Sequence, residues 1–113
     1  MRWLQAIFPK HVGILGIGAD GHTAGLPVGK RVDENHELVT EYDDGGGEYG
    51  ERVTMTFLGL SMQDALLVLV FGEEKMKALE LVFGEGKEED VPGRFFKRPE
   101  IAERTLLITD QEM

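Results

Sequence analysis

Val12-Gly-Ile-Leu-Gly-Ile-Gly-Ala-Asp-Gly-His-Thr-Ala-Gly25 starts as an apolar strand and runs into a glycine-rich turn that carries Asp20 and His22. Residues 12–15 read as a short buried strand. Open α/β sheets gather their functional groups at the carboxyl ends of strands, so this turn is the first place to look for chemistry. Three readings compete. Gly16-x-Gly18-x-x-Gly21 matches a dinucleotide-binding fingerprint, but that fingerprint needs a helix to open at once on the pyrophosphate. Gly25 and Pro27 break the chain within six residues of Gly21, and Asp20 adds negative charge where pyrophosphate would lie. The turn is equally readable as purely structural, since glycine permits positive φ and Asp and His satisfy loop backbone groups. The third reading pairs Asp20 with His22. A free histidine titrates near 6.5, and a neighbouring carboxylate orients the ring and stabilises its charged form.

Working outward, residues 3–8 look like a helix end stopped by Pro9. Residues 28–51 are acidic and poorly periodic, include Asp43-Asp-Gly-Gly-Gly-Glu48, and read as a flexible loop inside a single partial α/β domain spanning 1–113. Order is expected to return with a strand at 53–57, which is β-branched and aromatic. Ser61 is expected to cap a short helical turn through Asp64. Residues 66–71 are apolar at every position, as in a strand covered on both faces. Met76, Leu79, Val82 and Phe83 recur at helical spacing, which predicts a helix over 73–83 stopped by Gly84. A helical turn at 99–104 and a last strand at 105–109 complete the pattern. The order implies an α/β fold with a mostly parallel sheet, a partial doubly wound (Rossmann-like) domain. One long amphipathic helix is too few to cover both faces of such a sheet. Either the sheet is half bare or something else covers it.

Composition narrows the classes. The 113 residues hold 12 Lys and Arg, 21 Asp and Glu and no cysteine, for a net charge of −9. Without cysteine a disulfide scaffold is excluded. The acidic balance argues against broad contact with nucleic-acid phosphates. The longest apolar run, residues 65–71, falls far short of the ~20 residues that cross a bilayer. The first residues lack the long apolar stretch of a secretory signal. No nucleic-acid or membrane partner and a cytoplasmic location are therefore expected. Glycine is abundant, 15 of 113 residues against a usual ~7%. Arg94, Lys97 and Arg98 read as a solvated basic loop. His11, His22 and His36 are too scattered to argue a zinc site.

Leu15-Gly-Ile-Gly-Ala-Asp-Gly-His-Thr-Ala24 resembles the central motif of the 6-phosphogluconolactonase / glucosamine-6-phosphate isomerase-deaminase family. Further features follow in order. Arg52-Val-Thr-Met-Thr56 resembles the family's Arg-apolar-Thr-apolar-Thr strand. Gly72-Glu-Glu-Lys75 resembles its Gly-x-x-Lys helix start, and the region of Asp110 resembles the chain end of many members. Thr23-Ala-Gly-Leu-Pro27 is closer to the lactonase form His-Thr-Ala-Ser-Leu-Phe-Pro than to the deaminase form. It is one residue shorter before the proline and has Gly25 in place of Ser.

The resemblance covers the C-terminal half of family chains. It implies the C-terminal half of the family fold, and a lactone ring opening that belongs to the pentose phosphate pathway. His22 would be the base that activates water, oriented by Asp20. Backbone N–H groups from Gly18 to Gly21 would stabilise the oxyanion. Arg52 and Lys75 would contact an anionic sugar phosphate. No metal or cofactor is required. The resemblance leaves two other functions open: a non-catalytic sugar-phosphate-binding or assembly module, and a glucosamine-6-phosphate isomerase/deaminase-like enzyme. The implied partners are a small anionic substrate and, for the bare sheet, self-association or a complementary N-terminal half.

Overall fold

The computed structural model of the protein describes residues 11–32, 36–45 and 50–112. The helix end expected at 3–8 lies outside them. Three apolar segments form parallel strands: β1 (Val12–Leu15), β4 (Ala65–Val70) and β5 (Thr105–Thr109), in the order β1-β4-β5. Their registers align Ile14 with Leu67 and Leu67 with Leu106, and one row on, Leu69 with Ile108. A separate antiparallel hairpin joins β2 (Val39–Asp43) to β3 (Glu51–Met55).

The hairpin corrects the reading of 28–51 as a loop, because β2 and the first residue of β3 lie within that stretch. Val39, Thr40 and Tyr42 are β-formers, and Glu41 and Asp43 point to the exposed side. A second correction concerns the segment after β3. The strand ends at Met55, and helix α1 (Phe57–Ser61) starts earlier than the turn expected at Ser61. Its cap is Thr56, whose Oγ1 accepts from the Gly59 amide at 3.0 Å.

The helix expected at 73–83 begins as a 3₁₀ turn (Glu73–Lys75) and continues as α2 (Met76–Phe83). Gly84 ends it as expected, its amide donating to Glu80 and Leu81 carbonyls. Another 3₁₀ segment (Pro92–Lys97) and α3 (Pro99–Ala102) lead into β5. The basic cluster is not a solvated loop. Arg94 Nε donates to the Leu81 carbonyl at 3.0 Å and Lys97 Nζ to the Gly84 carbonyl at 2.6 Å. Both cations thus sit on the negative end of α2, satisfying its last carbonyls. Arg98 forms two bonds to the Glu88 carboxylate, at 2.6 and 2.5 Å, and lies over the Phe95 ring at 4.8 Å.

The core fills one side of the sheet. Leu66, Val68 and Val70 of β4 pack with Leu79, Phe95 and Ile101, all at most 2% exposed. On the opposite side Val12, Ile14, Leu69, Leu106 and Ile108 form aligned apolar rows in the open, with Ile14 66% and Leu106 57% exposed. The sheet is half bare among the described residues, as the shortage of helices implied.

Candidate active site

Parallel pairing puts three strand exits on one edge. β1 leads into the glycine turn, β4 into Gly72 and the Glu73–Lys75 turn, and β5 into Asp110. The edge is stitched together: the Gly72 amide donates to Asp110 Oδ1 at 3.0 Å, and Lys75 Nζ donates to the Ile17 carbonyl at 2.8 Å. Gly72 adopts φ +107, which turns the chain sharply from β4 towards Lys75. An open cavity of about 490 Å³ results, lined by Leu15, Gly16, Gly18, His22, Thr23 and Lys75 among others.

Within the turn, sequence-local contacts set the geometry. The His22 amide donates to Asp20 Oδ1 at 3.0 Å, and His22 Nδ1 lies 2.5 Å from the same oxygen. Burial pushes the Asp20 carboxyl up, but the bonds from the His22 ring and amide, with the ring's charge, outweigh it and hold the carboxyl below its ordinary value. Asp20 is therefore a carboxylate at neutral pH and accepts only. Nδ1 is then the donor of this contact, and in the neutral form of the ring Nε2 keeps its lone pair.

The two glycines named as substrate contacts do different work. A Cβ on Gly18 would stand 2.0 Å from the His22 ring, so glycine there makes room for the imidazole. Gly21 has φ +89, and a Cβ there would meet Val91 at 2.5 Å. Their amides are already engaged: Gly18 N–H donates to the His22 carbonyl at 2.8 Å and Gly21 N–H to the Gly18 carbonyl at 2.9 Å. The expectation that these two amides stabilise an oxyanion is corrected accordingly, since bonds inside the turn use them.

Asp20, His22 and Lys75 are brought together and Arg52 is not. Arg52 faces Tyr42 on the hairpin, close enough for a side-chain hydrogen bond, and it does not line the His22 cavity. It lines a separate opening with Glu41, Asp43 and Glu51.

Three positions that sequence reasoning passed over hold the turn. Thr23 is 1% exposed, and its Oγ1 donates to the Gly16 carbonyl at 2.8 Å. Thr54 Oγ1 accepts from the Gly25 amide at 2.9 Å, and the Tyr42 hydroxyl donates to the Gly25 carbonyl at 2.5 Å. A signal for Thr54 was present in Arg52-Val-Thr-Met-Thr56, where alternation puts Arg52, Thr54 and Thr56 on one side of a strand.

Residues 4–106 match the model of the family described as glucosamine-6-phosphate isomerases/6-phosphogluconolactonase. Over 97 residues the chain is 33% identical to a 6-phosphogluconolactonase of Rhizobium meliloti, covering 80% of this chain and 41% of that one. Over 87 residues it is 33% identical to the 6-phosphogluconolactonase of Thermotoga maritima, covering 77% and 38%. The crystal structure of the Thermotoga maritima enzyme superposes with a TM-score of 0.67 at 28% identity, over 96% of this chain and 47% of that one. The chain thus spans less than half the length of these relatives.

Proposed function

The chain belongs to the glucosamine-6-phosphate isomerase/6-phosphogluconolactonase family, and from that premise we propose that it opens the lactone ring of a sugar phosphate by His22-activated water. The observation that carries this reading is the Asp20–His22 contact at 2.5 Å on the wall of an open cavity. His22 Nε2 takes a proton from water as the water oxygen bonds to the lactone carbonyl carbon. Asp20 stabilises the imidazolium that forms. The tetrahedral oxyanion then collapses, the ring C–O bond breaks, and the imidazolium returns the proton to the departing ring oxygen. Base catalysis of this kind contributes roughly 10²–10⁴-fold.

Lys75 is the proposed phosphate contact. Its bond to Ile17 occupies one of three N–H donors and leaves two for an anion. Lys75 also directly precedes α2, where helix amides favour negative charge. Arg52 carries no contact in this proposal because it does not line the cavity.

The chain covers 41% of its Rhizobium relative, and binding energy from remote substrate groups is needed for a full rate. Slow turnover by the 113 residues alone is therefore expected, and faster turnover when a polypeptide supplies the rest of the fold. The test is hydrolysis of 6-phosphogluconolactone followed by NMR, above the uncatalysed background. Loss of the catalysed component in His22→Ala supports the proposal, and a rate indifferent to that change overturns it. Glucosamine 6-phosphate as substrate separates the isomerase/deaminase branch.

The bare apolar face favours a second reading, an assembly module that keeps the fold and a weak sugar-phosphate site. Covering that face with a second copy or a complementary N-terminal half removes apolar surface from water.

A further inference from the structure

The turn that carries His22 contains a strained residue. Ala24 has φ +52, a left-handed conformation that residues with a Cβ seldom adopt. Such conformations persist only where the surroundings over-determine them. Here the surroundings are identifiable. Leu26 N–H donates to the Thr23 carbonyl at 3.0 Å and closes the turn around Ala24. Next to Ala24, Gly25 is gripped at its backbone N–H and its C=O by side chains of the β2–β3 hairpin. Thr54 Oγ1 takes the amide and the Tyr42 hydroxyl takes the carbonyl. Thr54 Oγ1 in turn donates to the Met55 carbonyl at 2.9 Å, so its lone pairs face the Gly25 amide.

Gly25 is where this chain departs from the lactonase motif, which has Ser. A Cβ at 25 would lie 2.9 Å from Thr54 Cβ. The missing side chain is what lets the hairpin come this close. On the other side of Ala24, the Thr23 hydroxyl ties the turn to Gly16, and the His22 carbonyl accepts from Gly18. The path from hairpin to imidazole therefore runs through Gly25, Ala24 and Thr23, with hydrogen bonds at Gly25 and Thr23 on either side of Ala24.

We propose that Tyr42 and Thr54 are positioning residues for His22: by clamping the backbone of Gly25 on both sides they hold the Ala24 turn, and with it the ring that faces the cavity. The proposal rests on the reading of His22 as the base. Burial raises the Tyr42 hydroxyl above its ordinary range, Arg52 opposes that and Asp44 adds to it, so Tyr42 stays a donor through neutral and mildly alkaline pH.

The test uses the 113-residue chain and three variants, Thr54→Val, Thr54→Ser and Tyr42→Phe. It reads Gly25 amide exchange, the Asp20 carboxyl titration by ¹³C NMR, and the His22 ring nitrogens by ¹⁵N NMR. Loss of one hydrogen bond in Thr54→Val speeds Gly25 exchange about tenfold. The loosened His22–Asp20 contact moves the Asp20 midpoint up towards 3.8 and alters the ring signals. Thr54→Ser restores all three readouts, and Tyr42→Phe shifts them in the same direction as Thr54→Val. Unchanged Asp20 and His22 signals in folded Thr54→Val would overturn the proposal. If that variant does not fold, Tyr42→Phe decides by the same criteria. If hydrolysis proves indifferent to His22→Ala, the base reading fails while the coupling between hairpin and ring is still measured.

Discussion

The two faces of the parallel sheet are made from the same strands and have opposite fates. On β4, Leu66, Val68 and Val70 are buried beneath α2 and the 92–102 segment, while the intervening Leu69 is exposed. Rows through Ile14, Leu67 and Leu106 continue that exposed side across all three strands. An all-apolar strand is a pattern for cover on two faces, yet among the described residues only one face is covered. Stability is thus concentrated on one side, and the site sits at the carboxyl edge between the two, on turns that anchor Ile17 and Thr23 in the interior while Asp20, His22 and Lys75 stay partly exposed. The bare side is the part of the molecule with the most to gain from association.

The largest effect expected from this contrast is on the covered side. Phe95→Ala removes a fully buried ring stacked on Phe57 at 5.4 Å and edge-on to Phe96. It is expected to cost about 3–5 kcal/mol in denaturant unfolding. Leu66→Ala follows at about 2–5 kcal/mol. A loss under 1 kcal/mol for either would mean that the covered side does not carry the stability. Ile14→Lys with Leu106→Lys probes the bare side. Light scattering is expected to find association in the parent chain and a monomer in the variant. A strict monomer in the parent at high concentration would remove the case for association.

The smallest effect concerns the edge. Asp20 and Asp110 are both held below the ordinary carboxylate value, Asp20 by His22 against the opposing effect of burial, and Asp110 by Gln111 and the Gly72 amide. A depressed native value means the contribution is present above about 3.8 and is lost as pH falls through the lowered native values. Acid is therefore expected to loosen the glycine turn and the Gly72 exit before it unfolds the covered side. Amide exchange at His22 and Gly72, followed from pH 5 to pH 2, checks this. Protection at those amides that outlasts protection in β4 would contradict it.

What was readable beforehand follows the range of the interactions. β1 and β5 were placed at their observed limits because each is an apolar run bounded by turn residues. The Asp20–His22 pair was readable because its partners are two residues apart. β2 was missed because the acids at 41 and 43 and the neighbouring glycines weigh as loop, although Thr40 and Tyr42 alternate with Val39, Glu41 and Asp43 as a strand should. The cap by Thr56 was missed because Thr56 also fits the end of a strand. Arg94 and Lys97 were misread because the carbonyls they satisfy lie 13 residues away. Lys75 meets Ile17 across 58 residues, a contact that no reading of the sequence suggested; the family resemblance named Lys75 only as a substrate contact. The same resemblance put Arg52 on the substrate, but the hairpin turns it towards Tyr42.

The most direct measurement is the tautomer of His22 at neutral pH, read from long-range ¹H–¹⁵N correlations of the imidazole. The account predicts a proton on Nδ1, shared with the Asp20 carboxylate, and an unprotonated Nε2 open to the cavity. A ring protonated on Nε2, with Nδ1 bare beside Asp20, would contradict the assignment of His22 as a base aimed at substrate.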